Sequence, residues 1–379
     1  MKVLILGSGQ LARMMYLAAA PLGIHLTAVD VSNGKVVNPL TKRVLTQSLQ
    51  DAMDDADAIS VEFEHIPEPL LEQAQMTGKF YPSMTAILTG ADRVREKRLL
   101  DKLNIANCPY AIVTDVAQLD DVMAKLGQEL ILKASRDGYD GYGQWRLRSA
   151  DELAALKQSL AELDLQKVPL VVEKKLDFQR ELSIVGMRGK NGDLAFYPLA
   201  ENLHHQGQLH VSVAPAPALD DKLTAQAREV FTKLTEALDY VGVLAVEFFQ
   251  MGDQLLVNEI APRVHNSGHW TQQGADTSQF ENHLRAICGL PLGSTQLLGV
   301  SAMINIIGYG SFNRDMLAVE GCHLHWYGKE VRPKRKMGHF NLRAKDYTQL
   351  AAAMTALSGY LPQSHFPMLA DKAAELSTL

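Results

Sequence analysis

Residues 244–249 and 254–260 are two runs dominated by Val, Leu, Phe and Ile, and both read as strands. Met251-Gly252-Asp253 between them is a turn signal, so the pair reads as a β-hairpin. Folding it about Asp253 sets Glu247 directly opposite Glu259. Like charges facing each other destabilise a sheet. A hard divalent cation, which takes carboxylate oxygens together with substrate phosphates, removes that conflict. The competing reading is a register slipped by one residue, which turns one Glu to the opposite face. Beyond the hairpin Ala261-Pro262 ends the strand, and Arg263, His265, Asn266 and His269 crowd around Gly268. These are anion-binding and proton-handling groups, concentrated beyond what an ordinary loop carries.

The N-terminus constrains the fold class. Residues 2–6 are apolar after Lys2, the pattern of a parallel strand covered on both faces. Gly7-Ser8-Gly9 follows, then helical periodicity over 10–20 closed by Pro21 and Gly23, then a strand over 25–30 ending in Asp30. Gly7, Gly9 and Ala12 fit G-x-G-x-x-G/A, the dinucleotide fingerprint. A plain tight turn and a helix N-terminus for some other polar ligand are the alternatives. A strand over 58–63 leads into Glu62-Phe63-Glu64-His65, at the edge where open α/β sheets bind ligands. Glu64 is either a substrate contact or a solvated loop acid. A helix rich in Arg and Lys is expected over 85–103, most of its charges on a solvated face.

The middle of the chain is suited to hold a nucleotide. The strand 130–133 ends in Lys133, and Gly138, Gly141 and Gly143 follow closely. No G-x-x-x-x-G-K-[ST] segment is present. A strand lysine under a Gly-rich cover is the other way to hold phosphates; a hairpin turn with a surface lysine is the plain reading. Residues 169–173 form a strand that can serve as a hinge toward an adenine ring. Glu181, in a strand with period-two alternation, can accept from two ribose hydroxyls. The helix over 220–238 reads as core packing.

Among residues 324–342, Lys329, Arg332, Lys334, Arg335 and Lys336 stand against Glu330 alone. The readings are a solvated loop, a nucleic-acid patch or a pocket for a substrate phosphate. The net charge of −6 argues against general nucleic-acid binding. Cys108, Cys288 and Cys322 are far apart, with no CxxC pair, so neither a disulfide scaffold nor a structural zinc site is expected. No apolar run reaches the ~18 residues of a membrane span, and the apolar start stops at Gly7. The expected location is a reducing cytoplasm. Residues 347–357 read as a final amphipathic helix and the last dozen residues as peripheral.

The order Glu247, strand return, Asn258-Glu259, then Ala261-Pro262-Arg263-Val264-His265-Asn266-Ser267-Gly268-His269 resembles the metal and substrate region of ATP-grasp ligases. Within them it is most similar to the biotin-independent carboxylases of purine synthesis, the 5-(carboxyamino)imidazole ribonucleotide synthetases, over essentially the whole chain. The resemblance implies an α/β fold: a doubly wound, Rossmann-like N-terminal domain over 1–95, an ATP-grasp domain over 96–290 with a lid about 110–175, and a small C-terminal domain over 291–379. It implies ATP-dependent carboxylation of 5-aminoimidazole ribonucleotide with bicarbonate through carboxyphosphate, with one or two Mg²⁺ ions and, by family analogy, a homodimer.

The resemblance also assigns residues. Nucleotide contacts fall on Arg93, Lys133, Gly138, Tyr139, Asp140, Gly141, Tyr142, Gly143, Gln144, Glu173, Lys174, Lys175, Leu176, Glu181, His204, Asn258 and Glu259. The ribonucleotide falls on Gln10, Glu64, Tyr139, Asp140, Lys329, Arg332, Arg335 and Lys336. Glu247 and Glu259 hold the metal, and Arg263, His265 and Asn266 act with Lys133 on bicarbonate and carboxyphosphate. One departure is Tyr142, where relatives often carry a basic residue; a role resting on that charge does not transfer. The alternatives are another ATP-grasp ligase, such as a formate-dependent transformylase or a biotin carboxylase; a nicotinamide oxidoreductase built on Gly7-Ser8-Gly9 and Asp30; and a non-catalytic nucleotide-binding module.

Overall fold

The apolar run Lys2–Leu6 forms the parallel strand that its pattern requires, buried after Lys2. The structure, a computed structural model, describes residues 1–136 and 143–379. Lys2–Leu6 lies between the parallel strands His25–Asp30 and Ala58–Val61, with Lys35–Val37 closing the far edge antiparallel. The helix Gln10–Ala19 starts at Gly9 and buries Leu11, Ala12, Met14, Met15 and Ala19. This face packs against the helix Gln279–Ile287, so the N-terminal unit and the large sheet share one core.

A second sheet, all antiparallel, runs Tyr110–Val113, Leu170–Lys174, Leu130–Ala134, Gln144–Leu147. The helices Leu119–Leu126 and Leu153–Leu160 cover it with Leu and Val.

The third sheet has nine strands. Its main path is Gln254–Ala261, Gly242–Met251, Arg180–Arg188, Ala200–His205, Gln208–Ala214, Val300–Ile307, Lys336–Ala344, Cys322–Trp326, with Leu194–Phe196 beside Arg180–Arg188. The C-terminal strands therefore continue the same sheet. On one face Leu182, Ile184, Val246 and Phe248 pack against the helix Asp221–Ala237. Leu223, Ala227, Phe231 and Leu234 are buried on that helix at helical spacing, and Asp220 caps its start by accepting from Lys222 N at 2.8 Å. Burying each Leu or Phe contributes about 1.5–3 kcal/mol. The opposite face carries Glu181, Ser183 and Glu247, because successive residues alternate across a strand.

Two expectations are corrected. The helix over 85–103 is two helices, Met84–Ala91 and Arg93–Lys102, broken at Asp92. Asp92 leaves the helical region (φ −133°) and its carboxylate caps Val94 and Arg95 N–H. The second helix is not a solvated charged rod either, because Glu96 and Lys97 are 2% and 1% exposed. The chain end is not peripheral. The helix Leu369–Leu376 buries Leu369, Ala373 and Leu376, and Lys372 reaches Glu201 Oε1 at 2.5 Å.

Candidate active site

The hairpin register holds, for a reason beyond simple alternation. Met251 pairs with Gln254, leaving a two-residue loop whose first residue, Gly252, has φ +64°. That positive φ suits a type II′ turn. Counted from this turn alone, Glu247 would face Asn258. Phe248 pairs with Val257, but Glu247 pairs with Glu259, so Asn258 is the extra residue of a β-bulge. Bulges re-aim side chains near functional sites. Here one brings the two carboxylates together and leaves Asn258 to accept from Lys133 Nζ at 3.3 Å.

The two carboxyls are held differently. Burial raises Glu247; His204 opposes this, while Glu259 and Glu181 add to it. Burial alone would raise Glu259 too, but Arg93, Lys133 and Arg263 more than offset it and hold it low. Arg93 Nη1 lies 3.3 Å from Glu259 Oε2. Glu173 is buried between Lys133 (2.6 Å) and Lys97 (2.7 Å). Despite burial, which pushes it up, the two lysines hold its carboxyl at about 2. Its side chain thus fixes the strand lysine and is not turned to a ligand. Lys97 had no sequence signal apart from the helix it shares with Arg93.

Of the hinge, Lys174 and Lys175 are exposed, and their backbone N–H groups already go to Pro109 O and Glu129 O at 2.9 Å. Lys175 Nζ pairs with Glu129 at the surface. Leu176 N–H has no partner among the described residues. Glu181 and His204 face each other at 2.9 Å. Gln144 pairs with Lys133, and Gly143 (φ +67°) accepts from Ala134 N. Gly138, Tyr139, Asp140, Gly141 and Tyr142 lie outside the described residues.

The Gly7-Ser8-Gly9 turn is not open to a pyrophosphate. Glu62 accepts from Gly9 N and, at 3.0 Å, from Leu11 N, which are the helix donors such an anion would use. A Cβ on Gly9 would meet Glu62 Oε1 at 2.3 Å, so the glycine admits the protein's own carboxylate. The next residue, Gln10, turns outward and accepts from Lys329 Nζ.

A cavity of about 650 Å³ joins these parts. Gln10, Glu64 and His65 line it from the N-terminal sheet, Arg93, Ser135 and Glu259 from the middle, Arg263, His265, Asn266 and His269 from the loop after the hairpin, and Tyr327 and Lys336 from the basic turn. Arg263 Nε meets Glu64 Oε1 at 2.8 Å, so Glu64 is not a solvated acid. Asn266 Nδ2 has no hydrogen-bond partner among the described residues. Burial, then Arg263, hold His265 well below the usual histidine range. His265 Nε2 lies 3.9 Å from Glu247 Oε1. Burial and the nearby Arg335 lower Lys329 to about 8, the response of a lysine among like charges, which an anion would reverse. Arg335 Nη1 donates to Glu330 O at 3.1 Å. Arg332 instead pairs with Glu330 at the surface, away from the cavity.

Three consecutive stretches of the chain match known protein families. Residues 1–89 match the ribonucleotide synthetase preATP-grasp domain, 98–280 the ATP-grasp domain, and 301–353 the phosphoribosylaminoimidazole carboxylase C-terminal domain. The N5-carboxyaminoimidazole ribonucleotide synthase of Vibrio cholerae is 50% identical over 99% of this chain and 100% of that protein. The Escherichia coli protein of the same name is 40% identical, covering 96% of each chain. The N5-carboxyaminoimidazole ribonucleotide synthetase structure from Thermus thermophilus superposes with a TM-score of 0.85 at 39% identity, covering 95% of this chain and 98% of that one. The Aspergillus clavatus synthase, in complex with ADP and 5-aminoimidazole ribonucleotide, gives 0.82 at 28% identity, covering 94% and 98%. The chain belongs to the N5-carboxyaminoimidazole ribonucleotide synthase family of ATP-grasp, ATP-dependent ligases.

Proposed function

We propose that this chain carboxylates 5-aminoimidazole ribonucleotide with bicarbonate, consuming ATP, as a step of purine biosynthesis. The observation that carries the reading is the single cavity shared by Gln10 and Glu64, by Glu259, by Arg263, His265 and Asn266, and by Lys336. One ligand there can touch the N-terminal sheet, the carboxylate hairpin and the basic turn together.

On this reading a bicarbonate oxygen attacks the γ-phosphorus of ATP and ADP leaves. The 5-amino nitrogen then takes up the carboxyl carbon of carboxyphosphate, or CO₂ after phosphate loss, with release of phosphate and a proton. Lys133, fixed by Glu173 and Asn258, lies where it can support the phosphates. Arg263, oriented by Glu64, stabilises the carboxyphosphate anion with His265 and Asn266. Lys336 and Lys329, with Arg335 beside them, receive the ribonucleotide phosphate.

A divalent cation fits the hairpin. Glu247 and Glu259 oppose each other, and Glu247 is raised by burial with Glu259 and Glu181 beside it. Among the described residues no group of three or more His, Cys, Asp or Glu could hold a metal alone. Two carboxylates suit Mg²⁺, which binds through one or two carboxylates and completes its shell with water and phosphate oxygens. When bound, Mg²⁺ neutralises charge between the β- and γ-phosphates. A homodimer in the cytoplasm completes the proposal. No helix of the described residues is long and apolar enough to cross a membrane.

The test is phosphate release from MgATP, with ribonucleotide and bicarbonate each added and omitted. Release that requires the ribonucleotide, with a labile carboxylated product, is expected. ATP binding with release indifferent to the ribonucleotide would refute the proposed acceptor.

A further inference from the structure

Behind His265 runs a line of buried polar side chains that the reaction itself does not use. Ser212 Oγ donates to Asn202 Oδ1 at 2.7 Å, Asn202 Nδ2 to Ser183 Oγ at 2.9 Å, and Ser183 Oγ to Ser267 Oγ at 2.9 Å. Ser267 Oγ then meets His265 Nδ1 at 2.9 Å. Ser212, Asn202, Ser183 and Ser267 are each at most 4% exposed. They cross three strands of the large sheet, on the face that also carries Glu247, the direct cross-strand neighbour of Ser183. Buried polar groups of this kind are costly unless each is satisfied in turn.

The direction of the last link follows from a backbone group. Ser267 N–H, which can only donate, points to the same His265 Nδ1 at 3.3 Å. Nδ1 must therefore present its lone pair, and the proton of the neutral imidazole sits on Nε2. The Ser267 hydroxyl, already accepting from Ser183, gives its own proton to Nδ1. The His265 backbone is held separately, its N–H by Gln279 Oε1 (2.9 Å) and its carbonyl by Gln279 Nε2 (2.7 Å). Gln279 thus places the residue, and Ser267 is left to set the ring.

We propose that Ser267, backed by Ser183, Asn202 and Ser212, is a positioning residue that locks His265 in the Nε2–H tautomer. The ring then offers a hydrogen-bond donor to the cavity beside Glu247 and is not the base that deprotonates the incoming amine. Under the proposed activity, on which this role rests, the donor serves the oxygens of bicarbonate and carboxyphosphate.

The test is a long-range ¹H–¹⁵N correlation spectrum of the full-length protein labelled at histidine, with His265 assigned by its loss in His265→Gln. The expected wild-type signal has an unprotonated Nδ1 and a protonated Nε2; Ser267→Ala removes the 2.9 Å hydroxyl donor, keeps only the longer 3.3 Å backbone N–H contact, and shifts the signal toward a mixture. Kinetically, Ser267→Ala lowers kcat roughly tenfold or more, with KM for MgATP within about twofold and more ATP hydrolysed per ribonucleotide carboxylated. Ser183→Ala, which keeps the Ser267 hydroxyl, gives a smaller change in both readouts. A protonated Nδ1 in the wild type overturns the proposal, whatever the variants do. So does an unchanged tautomer in a folded Ser267→Ala; if that variant does not fold, an unchanged spectrum and coupling ratio in Ser183→Ala overturn the relay behind it. The spectrum needs no substrate, so a wild type lacking ribonucleotide-dependent turnover would sink the proposed activity alone.

Discussion

Two buried clusters of charge lie on opposite faces of the same sheet, and they differ in whether they balance. On the helix-covered face Lys372 meets Glu201 at 2.5 Å and Glu375 at 2.6 Å, while Glu201 also meets Arg180 at 3.2 Å. Arg180 is satisfied further by Gln250 Oε1 and Pro217 O. On the cavity face Glu247 opposes Glu259; the His265 ring 3.9 Å away is kept neutral by burial, and His204 and Lys336 lower the Glu247 carboxyl without offsetting its burial. The first cluster closes on itself and ties the chain end to the sheet. The second is left with a raised carboxyl, Glu247, beside Glu259, which lines the cavity. Buried charge that the protein balances is structural; buried charge left for a partner to balance marks a site.

The sharpest way to break this contrast is to neutralise one member of each cluster. Glu259→Gln should lower ribonucleotide-dependent turnover by roughly 10²–10³-fold or more, with a smaller loss of stability than Lys372→Ala although Arg93 loses a partner. Wild-type turnover in that variant would end the metal assignment. Lys372→Ala should do the reverse. It leaves Glu201 buried with one partner fewer and should cost about 3–5 kcal/mol in denaturant unfolding, while KM for ATP stays unchanged in the folded fraction.

The pH dependence of stability sharpens the same point. The folded Glu247 carboxyl sits above its ordinary 4.5, at about 7. Between these values the folded state binds the extra proton, so this group's contribution to stability is present at low pH and is lost as pH rises through that window. Metal-free wild type should therefore lose stability relative to Glu247→Gln from about pH 4.5 to 7, measured by denaturant midpoints. Parallel curves would contradict the imbalance. At finer grain, Arg335→Ala with Lys336→Ala should raise KM for the ribonucleotide roughly tenfold or more. Arg332→Ala, at a surface pair, should change it by less than about twofold.

The sequence carried what is local or periodic. The apolar run before Gly7 announces a parallel strand, and the turn at Gly252 announces the hairpin, whose carboxylates face each other only through the bulge. Asp92 is a readable helix cap, yet the basic pattern on either side of it reads as one continuous helix. The bulge at Asn258 had no local signal, because the ladder on either side of it is ordinary. The partners of Lys97, Glu62 and Lys372 were equally invisible. Each is set by strands or helices distant in the chain, and a lysine on a polar-looking helix reads the same whether it meets water or a buried glutamate. Gly7 and Gly9 suggested a phosphate, and what filled the turn was Glu62 from the neighbouring strand.

The central claim is that bicarbonate attacks the γ-phosphorus beside the Glu247–Glu259 hairpin. Its most direct test is turnover of MgATP and ribonucleotide with ¹⁸O-labelled bicarbonate, followed by mass spectrometry of the released phosphate. Transfer of one label into phosphate at each turnover is the predicted result. Unlabelled phosphate, formed at the same rate as carboxylated product, would contradict it and remove carboxyphosphate from the reaction.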